Sequence, residues 1–280
     1  PETFRDAGTL EAHSMKMNRN FKHVLLAAAA AGTIGLMVAP PPAAHETDQY
    51  RLPHGRQFAD LGPHLNAWAY DHIEEGVAKV NDRIEAALRS NNRKAVEAAQ
   101  DPEEIVKAVN AALPNAYDVI ENLNTLFASP KMRSEHPGLV VGYHDQFGNI
   151  YEKAHFILDP RQFFRIWHAG TLYAYGSYLG ADKIGHFTDM GRHYWNAYHS
   201  ARKKGAREEE ATRAAVKVGT VGAIFAESGM VGYLSAGAYS NGDLVANYLG
   251  FLFYRNLTDT VMLKGRRHPA MLERDGEYWK

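Results

Sequence analysis

The sequence contains no cysteine, and this absence excludes a disulfide framework, a thiolate metal site and a cysteine nucleophile. It also excludes a lipoprotein anchor, which requires a cysteine at the processing site. An excess of charge is missing as well, because 31 Lys and Arg are balanced by 32 Asp and Glu, for a formal net charge of -1. A near-neutral chain offers no electrostatic footprint for nucleic acid or anionic lipid, so we expect no nucleic-acid partner.

Familiar catalytic motifs are also missing. The sequence has no G-x-S-x-G nucleophile elbow and no HExxH zinc motif, and without them no hydrolase class is indicated directly. What is present is an ordinary globular composition, 45% hydrophobic and 22% charged over 280 residues. This length suits one large domain, or a domain with an appended piece.

The N-terminal part has the pattern of an export signal. Met17 is followed by Arg19 and Lys22, then by an apolar run over residues 24–39, and small residues close the run up to Ala44. We expect cleavage near Ala44 and translation starting at Met17, which makes the mature protein periplasmic or otherwise exported. The alternative is an uncleaved anchor, although the run is short for a spanning helix and rich in Ala.

Apolar spacing after the signal segment predicts mostly helices. Residues recur at intervals of three to five over 68–88, and Asp101-Pro102 has the composition of a helix start. Ser129-Pro130 is interpreted as the end of a further helix. The remaining predicted helices are 161–179, 182–203, 208–234 and 243–257.

One segment has strand character instead. Two apolar runs flank a Gly148-Asn149 turn, which predicts a β-hairpin over about residues 139–157. The expected fold is therefore mainly α, a helical bundle with one small β-hairpin. We divide the chain into 1–44 (upstream residues and signal peptide), 45–135 (N-terminal helical region) and 136–280 (hairpin plus helical core).

Glu227 is the most informative residue, because it is the one formal charge within residues 218–238. A carboxylate in such an apolar segment is costly to bury without a partner. We therefore predict that Glu227 lies inside and meets polar groups of two other helices. The candidate partners are Asp182, Lys183, His186, Asp243 and Asn247.

A polar stripe marks the predicted helix 182–203. Its members are Asp182, His186, Asp189 and His193. In a regular α-helix these four positions fall within an arc of about 60°, so the stripe could bind a divalent cation or supply an acid and a base. The alternative is a solvated face, because the apolar residues of this helix occupy the opposite side.

The last predicted helix begins with a capping pattern and carries a buried amide. Ser240 precedes Asp243 by three residues, which is a capping-box spacing. Asn247 lies one turn further on among apolar residues, and a buried Asn needs hydrogen-bond partners. We predict that Asn247, Asp243 and Glu227 share one internal polar cluster.

These residues resemble the VanZ-like family. Residues 182–187 read DKIGHF, Glu227 follows in an apolar segment, and residues 243–250 read DLVANYLG; the family pattern is DKxGHF, a Glu in an apolar helix, and D-x-x-x-N-x-x-G. The same three blocks are similar to those of related exported bacterial proteins. By this resemblance the signature positions, and the candidate catalytic residues, are Asp182, Lys183, His186, Glu227, Asp243 and Asn247.

VanZ-like proteins are integral membrane proteins linked to glycopeptide-antibiotic resistance, but this chain departs from them in hydropathy. Lys217 and the Gly-rich residues 218–238 make a poor spanning helix, and the mean hydropathy is -0.39. We therefore carry over the polar cluster and not the membrane topology. Peripheral association of these helices with a membrane surface or the cell envelope is the alternative.

Two function classes follow from the cluster. In one, the chain is an exported cell-envelope protein whose cluster locks helices together without catalysis, and we favour this class. In the other, it is a metal-assisted, phosphohydrolase-like envelope enzyme, in which His186 is the general acid or base and Lys183 faces an anionic small-molecule substrate. The metal ligands of this alternative are Asp182, His186 and Glu227, with a divalent metal as the cofactor.

Overall fold

The computed structural model describes residues 52–114, 123, 125–126, 129–143, 170–220 and 239–280. Within these ranges the chain is mainly α-helical, as the sequence predicts, and it contains short antiparallel strand pairs. The predicted signal segment, most of the hairpin predicted at 139–157 and Glu227 lie outside the described residues.

The N-terminal helices form where the apolar period and the capping residues predict them. The first three are α1 (Gly62–Arg89), α2 (Arg93–Ala99) and α3 (Pro102–Ala112). The side chain of Asp101 caps α3 by accepting from the amide of Glu103 at 2.8 Å. Helices α1 and α3 approach closely, since a Cβ on Gly76 would lie 2.6 Å from the Cα of Val109.

A short helix begins where we predicted only a helix end. Ser129 accepts from the amide of Met132 at 3.2 Å, and Pro130 occupies the first turn, where its missing N–H has no intrahelical partner to lose. The resulting helix is α4 (Pro130–Glu135). Ser129-Pro130 is therefore a start signal, and its interpretation as a helix end was incomplete.

The predicted helix over residues 161–179 is wrong from residue 171 onward. Thr171–Ala174 (β1) pairs antiparallel with Ser177–Gly180 (β2). The turn between them has positive φ at both central residues, 53° at Tyr175 and 80° at Gly176. This is the backbone that a two-residue hairpin turn requires, and Gly supplies it at low cost.

The described part of the hairpin predicted at 139–157 pairs elsewhere. Val140 bridges Phe58 in a parallel sense, and Tyr143 bridges Thr171 in an antiparallel sense. Residues 144–157 are outside the described ranges. The described hairpin next to this segment is thus β1–β2.

The C-terminal helices follow directly after β2. They are α5 (Asp182–Gly185), a π-helical turn (His186–Met190), α6 (Gly191–Lys203), α7 (Glu208–Thr220) and α8 (Asn241–Asn256). Two small antiparallel pairs end the chain: β3 (Val261–Leu263) with β4 (Arg266–His268), and β5 (Arg274–Asp275) with β6 (Tyr278–Trp279). These four strands were not predicted.

The main hydrophobic core joins α1 and α3 to α6 and α8. Ile84, Val109, Tyr194 and Phe251 are among its buried members. A smaller apolar cluster lies around the start of α1, with α4 and β1. Among the helices within the described ranges, none has the length and apolar character needed to cross a bilayer.

A charged contact ties α3 to α6. Glu103 pairs with Lys203, and it lies 3.0 Å from Nζ of Lys107 and 3.2 Å from Nε2 of His199. Hydrogen bonds from Lys203 and then Lys107 lower the pKa of Glu103 to about 2, because they stabilise the ionised carboxylate.

Candidate functional site

Two helix starts bring polar side chains together inside the protein. Asp182, Lys183 and His186 come from α5 and the first position of the π-helical turn, and Asp243 and Asn247 come from the first two turns of α8. The exposed fraction is 0% for Asp243, 1% for Asp182 and Asn247, 7% for Lys183 and 8% for His186. We call these five residues the buried polar cluster. The structure thus brings together five of the six predicted site residues, and the sixth, Glu227, lies outside the described part of the chain.

Lys183 is the centre of this cluster. Its Nζ donates to Oδ1 of Asp243 at 2.5 Å, to Oδ2 of Asp182 at 2.9 Å and to Oγ of Ser240 at 3.3 Å. An ammonium group has three N–H donors, and these three oxygens are enough to occupy all of them. The hydrogen-bonding capacity of Lys183 is therefore used by other side chains of the protein.

His186 connects the second turn of α8 to the cluster. Its Nδ1 is 3.1 Å from Oδ1 of Asn247, and its Nε2 is 3.2 Å from Oδ2 of Asp243. A proton on Nε2 is favoured, because the lone pair of an unprotonated Nε2 would face the carboxylate. The role of Nδ1 depends on the orientation of the Asn247 amide. Nδ1 donates to the amide oxygen in one orientation and accepts from the amide nitrogen in the other, and only the hydrogen bonds distinguish the two.

The contact between Asp243 and His186 is an ion-pair contact without an aligned hydrogen bond. Among the described residues, Oδ2 of Asp243 has no partner in hydrogen-bond geometry, although the ring nitrogen is at 3.2 Å. The other oxygen of the same carboxylate is bound by Lys183. Asp243 is thus held on one side and has spare acceptor capacity on the side of His186.

Charge counting shows why the cluster depends on its pairing. Asp182 and Asp243 carry two negative charges against one positive charge on Lys183, so the five residues sum to -1 with neutral His186 and to zero with a protonated ring. Removing such charges from water costs several kcal/mol per ion, and only their mutual contacts offset that cost. Loss of the Lys183 charge would therefore leave two buried carboxylates uncompensated.

The residue that caps α8, Ser240, also contacts the buried polar cluster, and this second role was not predicted from the sequence. The amide of Asp243 donates to Oγ of Ser240 at 2.9 Å, which confirms the predicted helix cap. The same hydroxyl accepts from Lys183, and Ser240 is 1% exposed. Its position three residues before Asp243 was the available signal, and it was interpreted as a cap alone.

The π-helical turn changes the predicted stripe. Each π turn holds about one residue more than an α turn, so side chains after it are rotated relative to those before it. Asp189 contacts Arg192 at 2.6 Å and lies 3.9 Å from Nε2 of His193, in a partly exposed setting. The regular four-residue stripe is therefore wrong, and so is its solvated-face alternative for Asp182 and His186, which are buried.

A buried tyrosine supports the π-helical turn. The hydroxyl of Tyr254 on α8 donates to the backbone carbonyl of Thr188 at 2.8 Å, and burial raises the pKa of that hydroxyl above its ordinary value. Thr188 in turn donates through Oγ1 to the carbonyl of Ile184 at 3.1 Å. These hydrogen bonds attach side chains to backbone carbonyls within the π-helical turn and just before it.

The last glycine of the D-x-x-x-N-x-x-G pattern lies where two helices cross. A Cβ added to Gly250 would overlap the carbonyl oxygen of Phe187, and a Cβ on Gly191 would lie 2.6 Å from the Cα of Gly250. Glycine at both positions lets α8 pack directly against the backbone of the α5–α6 segment. This close crossing holds the buried polar cluster in register.

The structure supplies no complete metal site from the predicted ligands. In the part of the chain that is described, the group of histidines and carboxylates close enough to share an ion does not include Asp182 or His186. The predicted third ligand, Glu227, is outside that part. The metal set Asp182, His186 and Glu227 therefore stays a prediction.

No protein-family model matches this sequence, and neither a curated protein nor a solved structure does. The resemblance to VanZ-like proteins thus stays a prediction carried by the DKIGHF and DLVANYLG segments. A proposal of function therefore depends on the geometry of the buried polar cluster.

Proposed function

We propose that this chain is an exported bacterial cell-envelope protein in which the buried polar cluster is a structural lock between the start of α5 and the start of α8. In this role the cluster fixes how the two helices meet and performs no reaction. The observation that carries the proposal is the state of Lys183, whose ammonium group is buried and bound by three oxygens of the protein.

The burial of the carboxylates supports the same role. Asp182 and Asp243 are 1% and 0% exposed, so neither carboxylate is accessible to a substrate in this conformation. An anionic substrate would also have to compete with both carboxylates for Lys183. Charges that are inaccessible and paired with one another are better suited to specifying one packing arrangement than to turnover.

Export is supported by the sequence alone. Arg19 and Lys22 precede the apolar run over residues 24–39, and small residues follow it. The test is to express the chain in a bacterial host, fractionate the cells and sequence the N-terminus of the recovered protein. We expect a periplasmic or envelope-bound protein that begins near His45, and a cytosolic protein retaining residues 20–40 would contradict export.

A metal-assisted envelope hydrolase is the second candidate, and one contact favours it. Oδ2 of Asp243 faces Nε2 of His186 at 3.2 Å without an aligned hydrogen bond. A carboxylate beside an imidazole is a pairing that orients general bases and metal ligands. In this reading the spare acceptor capacity of Asp243 is used by a ligand.

One experiment separates the two candidates. Purified protein is assayed against phosphoesters with Mg²⁺, Mn²⁺ or Zn²⁺, in wild type and in His186→Gln, and thermal unfolding is recorded for both. The structural role predicts no turnover in either protein and a lower unfolding midpoint in His186→Gln. Turnover in wild type that disappears in a folded His186→Gln protein would replace the structural role by the enzymatic one.

A further inference from the structure

A second group of ligand-forming side chains lies away from the buried polar cluster. His64 is the third residue of α1, Glu135 is the last residue of α4, and His136 caps that helix. One ligand atom from each of the three lies within 4.8 Å of the other two. None of them was singled out from the sequence, because His64 is separated from the other two by about 70 positions.

The distance between the two imidazoles fits joint coordination of one ion. Nε2 of His64 and Nε2 of His136 are 3.2 Å apart. Two imidazole nitrogens about 2.05 Å from a zinc ion, at a tetrahedral angle, are about 3.35 Å apart. The observed separation corresponds to an N–Zn–N angle of about 103° for the same bond lengths. The separation of the two nitrogens is therefore compatible with a shared tetrahedral cation.

The carboxylate is close enough to complete the group. Oε2 of Glu135 is 4.0 Å from Nε2 of His64, whereas a zinc-bound oxygen and nitrogen would be about 3.4 Å apart. A shift of about 0.6 Å is needed, and the Glu135 side chain is exposed and free to make it. Its other oxygen is 3.8 Å from Nζ of Lys131, an exposed pair that is worth at most about 1 kcal/mol.

The backbone that carries these side chains is anchored by packing. Leu61 and Leu65 flank His64 and belong, with Met132 of α4, to the smaller apolar cluster. The amide of His136 donates to the carbonyl of Met132 at 3.1 Å. Both histidines are therefore held by residues that are themselves buried, which is the preorganisation that a metal site requires.

We propose that His64, Glu135 and His136 bind a zinc-type divalent cation, with two Nε2 atoms and one carboxylate as ligands. This site is separate from the proposed structural lock and does not depend on it. Two histidines with one glutamate is a donor set that zinc accepts, and three protein ligands leave a fourth position for solvent or a ligand. The partial exposure of all three side chains places that fourth position at the protein surface. Neighbouring imidazoles alone could instead share a proton, so the test must detect the metal itself.

The test uses untagged full-length protein, since a histidine tag would bind the same ions. After treatment with a chelator and its removal, the protein is titrated with Zn²⁺ by calorimetry, and bound zinc is counted by elemental analysis. Co²⁺ is then used as a spectroscopic probe, because its visible absorption bands report a four-coordinate site. We expect one Zn²⁺ per chain and a higher unfolding midpoint when the ion is bound.

Variants assign the ligands. His64→Ala and His136→Ala should abolish zinc binding, and Glu135→Gln should weaken it at least about tenfold. Mutation of residues that only hydrogen-bond to a metal ligand already causes a loss of that size. His54→Ala, at an exposed histidine outside the group, is the matched control and should bind like wild type. If the histidine variants fail to fold, Glu135→Gln still tests the site, because a substitution of this exposed side chain should leave the fold intact. Absence of a stoichiometric Zn²⁺, or binding that is unchanged in the ligand variants, would overturn the proposal.

Discussion

Replacing Lys183 by Met tests the energetic role of the buried polar cluster. Met keeps an apolar side chain of similar length but removes the ammonium that contacts Asp182 and Asp243 at 2.9 and 2.5 Å. The two carboxylates, 1% and 0% exposed, would remain buried without this counter-charge. Breaking a buried ion pair by removing one partner costs roughly 3–5 kcal/mol, and Lys183 serves two partners, so we expect the upper part of that range.

The assay is urea and thermal unfolding, both followed by tryptophan fluorescence, for which the buried Trp195 is a reporter. A loss of that size should lower the thermal midpoint by roughly 10–20 °C in a protein of this length. Lys79→Met is the matched control, because Lys79 forms an exposed i,i+4 pair with Glu75, and such pairs contribute about 0.3–0.5 kcal/mol. A Lys183→Met protein within about 1 kcal/mol of wild type would refute the reasoning about buried charge.

Three further changes test other contacts that stabilise the fold. Gly250→Ala should destabilise by about 1–3 kcal/mol or more, since its Cβ would overlap the carbonyl of Phe187; denaturant titration measures this, and a change below about 0.5 kcal/mol would contradict the helix crossing. Tyr254→Phe should cost about 1 kcal/mol by removing the buried hydrogen bond to the Thr188 carbonyl, and an unaltered unfolding midpoint would count against that role. Glu103 has a pKa lowered to about 2 by the lysines beside it, so its contribution is present above about pH 4.5 and is lost as the pH falls towards 2. Glu103→Gln should therefore be less stable than wild type by about 1 kcal/mol at pH 7 and equally stable near pH 2, and a difference that persists at low pH would show another cause.

Much of the helical architecture could be predicted, because it depends on local signals. Helix α1 follows its apolar period, and α3 and α8 begin at capping residues that the sequence displays. The contacts of Lys183 and His186 with Asp243 bring the DKIGHF and DLVANYLG segments together, whereas the predicted contact of Glu227 with both segments lies outside the described residues. That prediction was based on polar residues in apolar segments, because a polar group is costly to bury without a partner.

Among the features not predicted from the sequence are the β1–β2 hairpin, the π-helical turn and the proximity of His64 and His136. The residues of the β1–β2 hairpin were assigned to the predicted helix 161–179, although Gly176 in the Tyr175-Gly176 pair was an available turn signal. The π-helical turn is supported by Tyr254, a residue more than 60 positions away, so no local pattern reveals it. His64 and His136 are likewise brought together only by tertiary packing.

The most direct measurement of the central claim is a double-mutant cycle between Lys183 and Asp243. Unfolding free energies of wild type, Lys183→Met, Asp243→Asn and the double variant give the coupling energy between the two side chains. A structural lock predicts a coupling of about 2 kcal/mol or more, so that the double variant is much more stable than the sum of the single losses implies. A coupling below about 0.5 kcal/mol, the value for independent positions, would contradict the account.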